Sequence, residues 1–418
     1  MSRPRAAAIA LAVAALLLAL PASAAARDCP AEIRAPSAVV LEQSTGEVAC
    51  ERGADARRPV GSAVKLMTAL ITLERAQLDD TFRASDYRPA PAESRVGLVP
   101  GERMTVRDLL SGLLVASGND AAMTLAEGVA GSERAFVRLM NRRARELGLE
   151  NTRYGNPIGL DEAGAYSSAR DLATLALHLR HTRPFFRRVV DQPRVTLTSG
   201  AQPRTLSNRN TLVSGIDWVN GVKTGYTQQA GDVLVGSGRR RRVQVISAVL
   251  DEPSKAARNA DTLALLSFGT RQFSRIAVAP AGTRVGVRVP IRYRPGAELE
   301  LVVGRNGERT VIPRGRRDLV TIEPGRPPAE VEGPIAEGEE LARAVVLRDG
   351  RPIATVPLVA SGPVPEAGLA QRTKSWFTKP AAVVLAFAVL GGTVLLARRR
   401  RRPRGPDSRR SRDEARVA

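Results

Sequence analysis

Apolar positions near the start of the chain follow two different periods. Between residues 37 and 53 they alternate with polar positions, and the alternation breaks at Thr45-Gly46, which predicts a β-hairpin. From Ser62 onward the period becomes that of a helix. The apolar stripe of this predicted helix consists of Val64, Leu66, Met67, Leu70 and Leu73. A strand pair and an amphipathic helix therefore open the predicted folded body.

Helical segments dominate the middle of the chain, and strands follow them. The predicted helices contain VRDLLSGLLVAS, AAMTLAEGVAG, SERAFVRLMNRRARELGL and SARDLATLALHLR. The next segments are three strands and a closing helix: WVNGVKTGYT, GDVLVGSG, RRVQVISAVLD and ARNADTLALLSFGTRQF. This order is typical of an α/β domain of the α+β type, with an antiparallel sheet flanked by helices. We expect the domain to cover residues 27–274.

The pattern changes beyond residue 275. Short strand-like segments are separated there by Pro and Gly, and a last hairpin turns at Asp349-Gly350. These features predict a small all-β sandwich domain over residues 275–365. Residues 366–379 are expected to form a juxtamembrane linker.

The N-terminal segment has the three parts of a secretory signal. Arg3 and Arg5 precede the apolar run AAAIALAVAALLLAL, and small residues follow it. We expect a signal peptide over residues 1–26, cut after Ala24 or Ala26. An uncleaved anchor is the alternative, and it is less favoured because the run is short for a membrane span.

The C-terminal segment predicts an anchor. Residues 380–397 contain no charged residue, and five arginines follow at once, a stop-transfer and positive-inside pattern. Trp376 and Phe377 precede the apolar run, where an interfacial aromatic belt is expected. We predict a single transmembrane helix at 380–397 and a basic cytoplasmic tail at 398–418. The body would lie outside the cytoplasm, in the periplasm where an outer membrane is present.

The strongly positive charge does not indicate a nucleic-acid partner. The formal net charge is +21, but the tail alone carries ten arginines against three acidic residues. The chain contains no recognised nucleic-acid-binding module. The run GRRRRV at 238–243 is most simply a solvated hairpin turn, with a contact to anionic wall polymer or lipid as the alternative.

Two cysteines, Cys29 and Cys50, lie near the expected mature N-terminus. An exported body meets oxidising conditions, which favours a disulfide between them over two free thiols. They are too few for a structural zinc site, and no His/Cys/carboxylate cluster has the spacing of metal ligands. We expect no metal and no cofactor.

Lysine is rare, since it supplies five of the 63 basic residues. Lys65 lies three residues after Ser62, so a helix would place both side chains on one face. Arginine stays protonated, whereas a buried lysine can lose its proton and act as a base. The two histidines, His178 and His181, end a predicted helix, where a favourable helix-terminus contact explains them. A nucleophilic serine in this chain would therefore use lysine as its base.

Three short motifs follow one another along the chain. They are Ser62-Ala63-Val64-Lys65, Ser117-Gly118-Asn119 and Lys223-Thr224-Gly225. Each is weak by itself, because a solvated lysine or a turn explains it equally well. The set is more specific than its members because the motifs occur in this order on a helix, an inter-helix loop and a strand. An export signal also precedes them.

With these motifs the chain resembles the low-molecular-mass penicillin-binding proteins of the D-alanyl-D-alanine carboxypeptidase type, such as penicillin-binding proteins five and six. The segments SAVVLEQSTGEV, SGNDAAMTLAE, GLDEAGAYSSARDLATLA and VNGVKTGYTQQAGDVLVGSG extend the resemblance, which covers residues 36–365. It implies a penicillin-binding/β-lactamase-like transpeptidase domain. It also implies peptidoglycan stem peptides as substrate and β-lactams as covalent inhibitors.

The resemblance assigns catalytic roles to three residues. Ser62 would attack the carbonyl between the two terminal D-alanines and form an acyl-enzyme. Lys65, in a dry site beside Lys223, would have a depressed pKa and take the serine proton. Ser117 would relay a proton to the departing amine.

The resemblance also assigns residues that bind the substrate. Asn119 would hold the peptide amide, Lys223 would supply positive potential, and Thr224 would bind the terminal carboxylate. Gly225 would let the substrate lie along the strand, and the backbone N–H groups of Ser62 and Tyr226 would form the oxyanion hole. Arg258 would lie near the carboxylate.

Three alternatives to a carboxypeptidase remain open at this point: a β-lactamase, an endopeptidase and a non-catalytic scaffold. A β-lactamase would need a Glu-x-x-x-Asn loop for fast deacylation, and Glu162 has no asparagine at that spacing. An endopeptidase would use the same three motifs. A non-catalytic scaffold would be expected to have lost at least one of them.

Val64 and Tyr226 replace a threonine and a histidine found in some relatives, and neither change removes a catalytic group. The sequence makes no prediction of the oligomeric state.

Overall fold

The computed structural model describes residues 27–377 and 380–400. The predicted signal peptide and most of the predicted basic tail lie outside the described residues. The chain divides into two compact units. The first extends to Ile276 and includes Val311–Arg316, and the second contains Ala277–Thr310 and the residues from Arg317 onward.

The first unit is built on a five-stranded antiparallel sheet with the strand order β2-β1-β9-β8-β7. Its strands are β1 (Ser37–Glu42), β2 (Val48–Arg52), β7 (Val219–Thr227), β8 (Gly231–Arg240) and β9 (Val243–Glu252). The predicted first hairpin is confirmed, because β1 pairs with β2. All six residues of β1 are buried, so the sheet is covered on both faces.

Alternate residues of the sheet belong to two separate cores. Val39 of β1 packs into the larger core with the helical block, whereas its neighbour Val40 packs with Leu265 of the closing helix. Side chains of a strand point to opposite faces in turn, so one strand supplies both layers. The antiparallel sheet flanked by helices is thus confirmed.

The helices of the first unit follow the predicted order with two additions. They are α1 (Lys65–Arg75), α2 (Val106–Ser111), α3 (Asn119–Ala130), α4 (Glu133–Glu146), α5 (Ala169–Thr182), α6 (Pro184–Val190), α7 (Leu212–Gly215) and α8 (Lys255–Gln272). The short α6 and α7 were not predicted. Side chains of Thr105, Ser132, Ser168 and Ser254 cap α2, α4, α5 and α8. Each accepts a backbone N–H that the helix leaves free, which explains these start points.

Three short strand pairs are also present. They are β3 (Thr81–Arg83) with β4 (Arg103–Thr105), β5 (Arg194–Leu197) with β6 (Arg204–Ser207), and β10 (Phe273–Ala277) with β13 (Arg309–Pro313). The β3–β4 connection, residues 84–102, matters for the site described below.

The second unit has an antiparallel sheet and a core of its own. Its strands are β11 (Arg284–Pro290), β12 (Glu298–Val303), β14 (Val320–Pro324), β15 (Glu340–Arg348) and β16 (Arg351–Ala360). They form one antiparallel sheet in the order β11-β12-β16-β15-β14. The class was predicted, but the strands join in one sheet rather than in the two facing sheets of a sandwich.

Two helices end the described chain, α9 (Leu369–Phe377) and α10 (Pro380–Arg400). The predicted linker is therefore partly helical. Within residues 27–377 and 380–400, no helix combines the length and the apolar character needed to cross a membrane.

Cys29 and Cys50 form a disulfide in the structure, with 4.9 Å between their Cα atoms. The bond attaches the N-terminal segment to β2. Both cysteines are buried in the smaller core of the first unit.

Candidate active site

Ser62 and Lys65 are in direct contact. Ser62 lies in the 3-10 turn Gly61–Val64, and α1 begins at Lys65 in the next turn. Nζ of Lys65 donates to Oγ of Ser62 over 2.8 Å and also to the carbonyl oxygen of Ile158. Lys65 is completely buried. The structure thus places the predicted nucleophile and the predicted base within hydrogen-bonding distance.

The surroundings of Lys65 favour its neutral form. Burial is the largest cause and lowers the lysine pKa to about 7. The negative charges of Glu93 and Asp120 oppose this effect, and the positive charge of Arg209 adds to it. Near neutral pH a large share of Lys65 can therefore accept a proton, which is the condition for a general base.

The second and third motifs are also in direct contact. Ser117 follows the π-helical turn Gly112–Ala116 and has a left-handed backbone conformation, with φ of 62°. Nζ of Lys223 donates to Oγ of Ser117 over 2.8 Å and to the carbonyl oxygen of Thr224. Burial, followed by the charges of Lys65 and two arginines, holds the pKa of Lys223 well below its usual value.

Asn119 is held by a residue outside the three motifs. Its side chain is buried, and Nδ2 donates to Oε2 of Glu93. Within the described part of the chain, Oδ1 of Asn119 has no hydrogen-bond partner. A buried carbonyl oxygen without a partner is costly, so the amide is prepared for a donor that the substrate would bring.

Glycines let β7 approach the serine turn. A Cβ atom added to Gly225 would lie 2.4 Å from the carbonyl oxygen of Val60. A Cβ atom on Gly61, whose φ is +51°, would lie 2.7 Å from the backbone nitrogen of Tyr226. Only glycine fits such approaches. They bring the Tyr226 backbone against the Ser62 turn, as the predicted oxyanion hole requires, while the Tyr226 side chain remains exposed.

Arg258 has partners within the protein. Its guanidinium donates to Asp232 over 3.0 Å and to the side chain of Asn259. Both members of the Arg258–Asp232 ion pair are buried. The charge of Arg258 also contributes to the lowered pKa of Lys223.

Sequence reasoning missed three residues of the site: Tyr87, Glu93 and Arg209. Arg209 donates from Nε to the carbonyl oxygen of Ala116, and its charge lowers the pKa values of both buried lysines. Nothing in the sequence distinguishes it from the many other arginines. Among the described residues no group of three or more His, Cys, Asp or Glu side chains could hold a metal ion.

The comparison with known families agrees with this geometry. A family model described as D-alanyl-D-alanine carboxypeptidase matches residues 22–254. The chain belongs to this family. A second model, described as penicillin-binding protein 5, C-terminal domain, matches residues 273–366. The predicted family is confirmed, with a catalytic domain followed by a C-terminal β domain.

Individual relatives support the same assignment. The D-alanyl-D-alanine carboxypeptidase DacF of Bacillus subtilis is 31% identical over 354 residues, which cover 82% of this chain and 90% of DacF. The D-alanyl-D-alanine endopeptidase of Pseudomonas aeruginosa is 34% identical over 266 residues, 62% of this chain and 84% of that protein. The crystal structure of penicillin binding protein 5 from Haemophilus influenzae has a TM-score of 0.58 at 28% identity. This structural match covers 81% of this chain and 99% of the chain in the crystal structure.

Proposed function

We propose that this chain is a serine-type D-alanyl-D-alanine carboxypeptidase that removes the terminal D-alanine from peptidoglycan stem pentapeptides and is acylated by penicillins. The observation that carries the proposal is the hydrogen bond between Ser62 and the buried Lys65, whose pKa is about 7. A serine with such a base is an activated nucleophile.

The reaction follows from the contacts of the site. Oγ of Ser62 forms a bond to the carbonyl carbon between the two D-alanines, and its proton moves to Nζ of Lys65. The carbon–nitrogen bond then breaks, and the departing amine receives a proton through Ser117, which already accepts a hydrogen bond from Lys223. Water hydrolyses the ester and frees Ser62. The backbone N–H groups of Ser62 and Tyr226 would stabilise the oxyanion.

The positive charge of the site suits the free carboxylate of the substrate. Arg209 supplies this charge, since it lowers the pKa values of both buried lysines, and Thr224 follows Lys223 on β7. A carboxylate bound there would be the terminal carboxylate of the pentapeptide.

The endopeptidase is the second candidate, because the endopeptidase of Pseudomonas aeruginosa shares 34% identity with this chain. Its match covers 62% of the chain, whereas DacF matches 82%. We expect the full-length chain to release D-alanine from a linear pentapeptide about tenfold or more faster than it cleaves a cross-linked peptide dimer, a difference of about 1.4 kcal/mol. The two products are separated by chromatography. Preferential cleavage of the dimer would favour the endopeptidase.

We further propose that the enzyme is anchored in the cytoplasmic membrane by residues 380–397, with its body outside the cytoplasm. Support comes from the uncharged sequence of this segment and from the arginines after it. Deleting residues 380–418 is expected to move the protein from the membrane fraction to the soluble fraction with its D-alanine release retained. A truncated protein that still sediments with membranes would contradict the anchor.

A further inference from the structure

Glu93 is a half-buried carboxylate that belongs to none of the three motifs. It lies in the β3–β4 connection, residues 84–102, and touches the second motif. Oε2 accepts hydrogen bonds from Nδ2 of Asn119 and from the hydroxyl of Tyr87, and Oε1 accepts one from the backbone N–H of Ala90. Three donors therefore fix the carboxylate in one orientation.

The connection that carries Glu93 is itself tied to α3. The backbone N–H of Asn119 donates to the carbonyl oxygen of Ser94 over 2.8 Å. The carboxylate of Asp120 accepts the backbone N–H groups of Val96, Gly97 and Leu98. Glu93 is therefore held beside Asn119 by the backbone of the residues that follow it as well as by its own side chain.

The chemistry of this contact decides which way the Asn119 amide points. An ionised carboxylate can only accept hydrogen bonds, so the atom of Asn119 beside Glu93 must be the NH2 group. Hydrogen bonds from Tyr87, Asn119 and Ala90 outweigh the effect of burial and hold the pKa of Glu93 below its usual value. Burial, together with Glu93, raises the pKa of Tyr87, which keeps its hydroxyl a donor. Oδ1 of Asn119 is the atom left without a partner in the described part of the chain.

We propose that Glu93 is a positioning residue of the reaction, which holds the Asn119 amide so that Oδ1 stays free as an acceptor for the peptide substrate. This inference rests on the proposed function. Without the Glu93 carboxylate, the amide could turn and present its NH2 group in place of its carbonyl oxygen. An N–H of the substrate would then meet a donor instead of an acceptor.

The charge of Glu93 has a second effect, which gives the proposal a distinctive readout. The ionisable groups that act on Lys65 are Glu93, Asp120, Arg209 and Lys223. The negative charge of Glu93 raises the lysine pKa against the effect of burial. Because Lys65 must be neutral to accept the Ser62 proton, acylation rises with pH through the lysine pKa, about 7. Removing the charge of Glu93 lowers this pKa and moves the rise to lower pH.

The test compares Glu93→Gln, Glu93→Ala and wild type as full-length proteins. Two readouts are followed between pH 5 and 9, the rate of acylation by a fluorescent penicillin and the release of D-alanine from a pentapeptide. Glu93→Gln keeps an acceptor for Asn119 but loses the charge, so its acylation midpoint should fall by about one pH unit. Glu93→Ala also loses the hydrogen bond, so kcat/KM for the peptide should fall about 10- to 100-fold, mainly through KM.

A matched control is Glu127→Gln. Glu127 accepts a hydrogen bond from Ser85 at the start of the same connection and does not contact Asn119. Its variant should keep the wild-type midpoint and a kcat/KM within about twofold of wild type. An unchanged midpoint in Glu93→Gln, or a loss in Glu93→Ala no larger than that of the control, would overturn the proposal.

The penicillin readout separates this proposal from the proposed function. If wild type releases no D-alanine, the proposed function fails, and the acylation midpoint still tests Glu93. If wild type releases D-alanine and the midpoint of Glu93→Gln does not move, only the role of Glu93 fails.

Discussion

We expect the Ser62→Ala variant to fold normally and to lose both penicillin labelling and D-alanine release. Oγ of Ser62 is the atom that would form the ester, and the nearest candidate replacement, Ser117, is hydrogen-bonded to Lys223 rather than to Lys65. Removing a serine nucleophile of this kind costs about 10⁵- to 10⁶-fold in turnover. Intact-protein mass spectrometry after penicillin treatment would show no added mass on the variant.

The matched control for this variant is Ser207→Ala. Ser207 is an exposed residue of β6 and belongs to none of the three motifs. The Ser207→Ala variant should be labelled by penicillin to the same extent as wild type. Stoichiometric labelling of Ser62→Ala, with the adduct on another residue, would show that Ser62 is not the nucleophile.

The Lys65→Arg variant should lose acylation by about 10³-fold or more, because a guanidinium remains protonated and cannot take the serine proton. The positive charge is kept, so a role of Lys65 in electrostatics alone would predict a small effect. The measurement is the rate constant for penicillin acylation of the full-length protein. Lys255→Arg, an exposed change at the start of α8, is the matched control.

Because Lys65 is fully buried, the larger guanidinium could disturb the fold. Lys65→Met, which has a similar length and no charge, provides a second test with less strain. It should be equally inactive and melt close to wild type. Acylation of a folded Lys65→Met protein at the wild-type rate would exclude Lys65 as the base.

Much of the first unit was predictable because its signals are local. The hairpin β1–β2 follows from alternation and a Thr-Gly turn, and α1 follows from its apolar stripe. The three motifs lie on separate elements. They meet because glycines at 61 and 225 allow close backbone approach. Their spacing in the sequence does not reveal this contact, and the family resemblance supplied it.

Other parts of the site could not be predicted because they depend on tertiary contacts. Glu93 lies in a connection without hydrophobic periodicity, and its contact with Asn119 joins residues 26 positions apart. Arg258 is predicted to lie near the substrate carboxylate, and its ion pair with Asp232 is a further contact that no local pattern indicates. The π-helical turn before Ser117 interrupts a segment with an ordinary helical period.

The most direct test of the account is the rate of D-alanine release from a pentapeptide by the full-length wild-type chain, with Ser62→Ala measured beside it. The account predicts steady release of one D-alanine per peptide by wild type and none by the variant. Equal release by both proteins would contradict the assigned nucleophile. No release by a folded wild type that is still labelled by penicillin would contradict the carboxypeptidase activity itself.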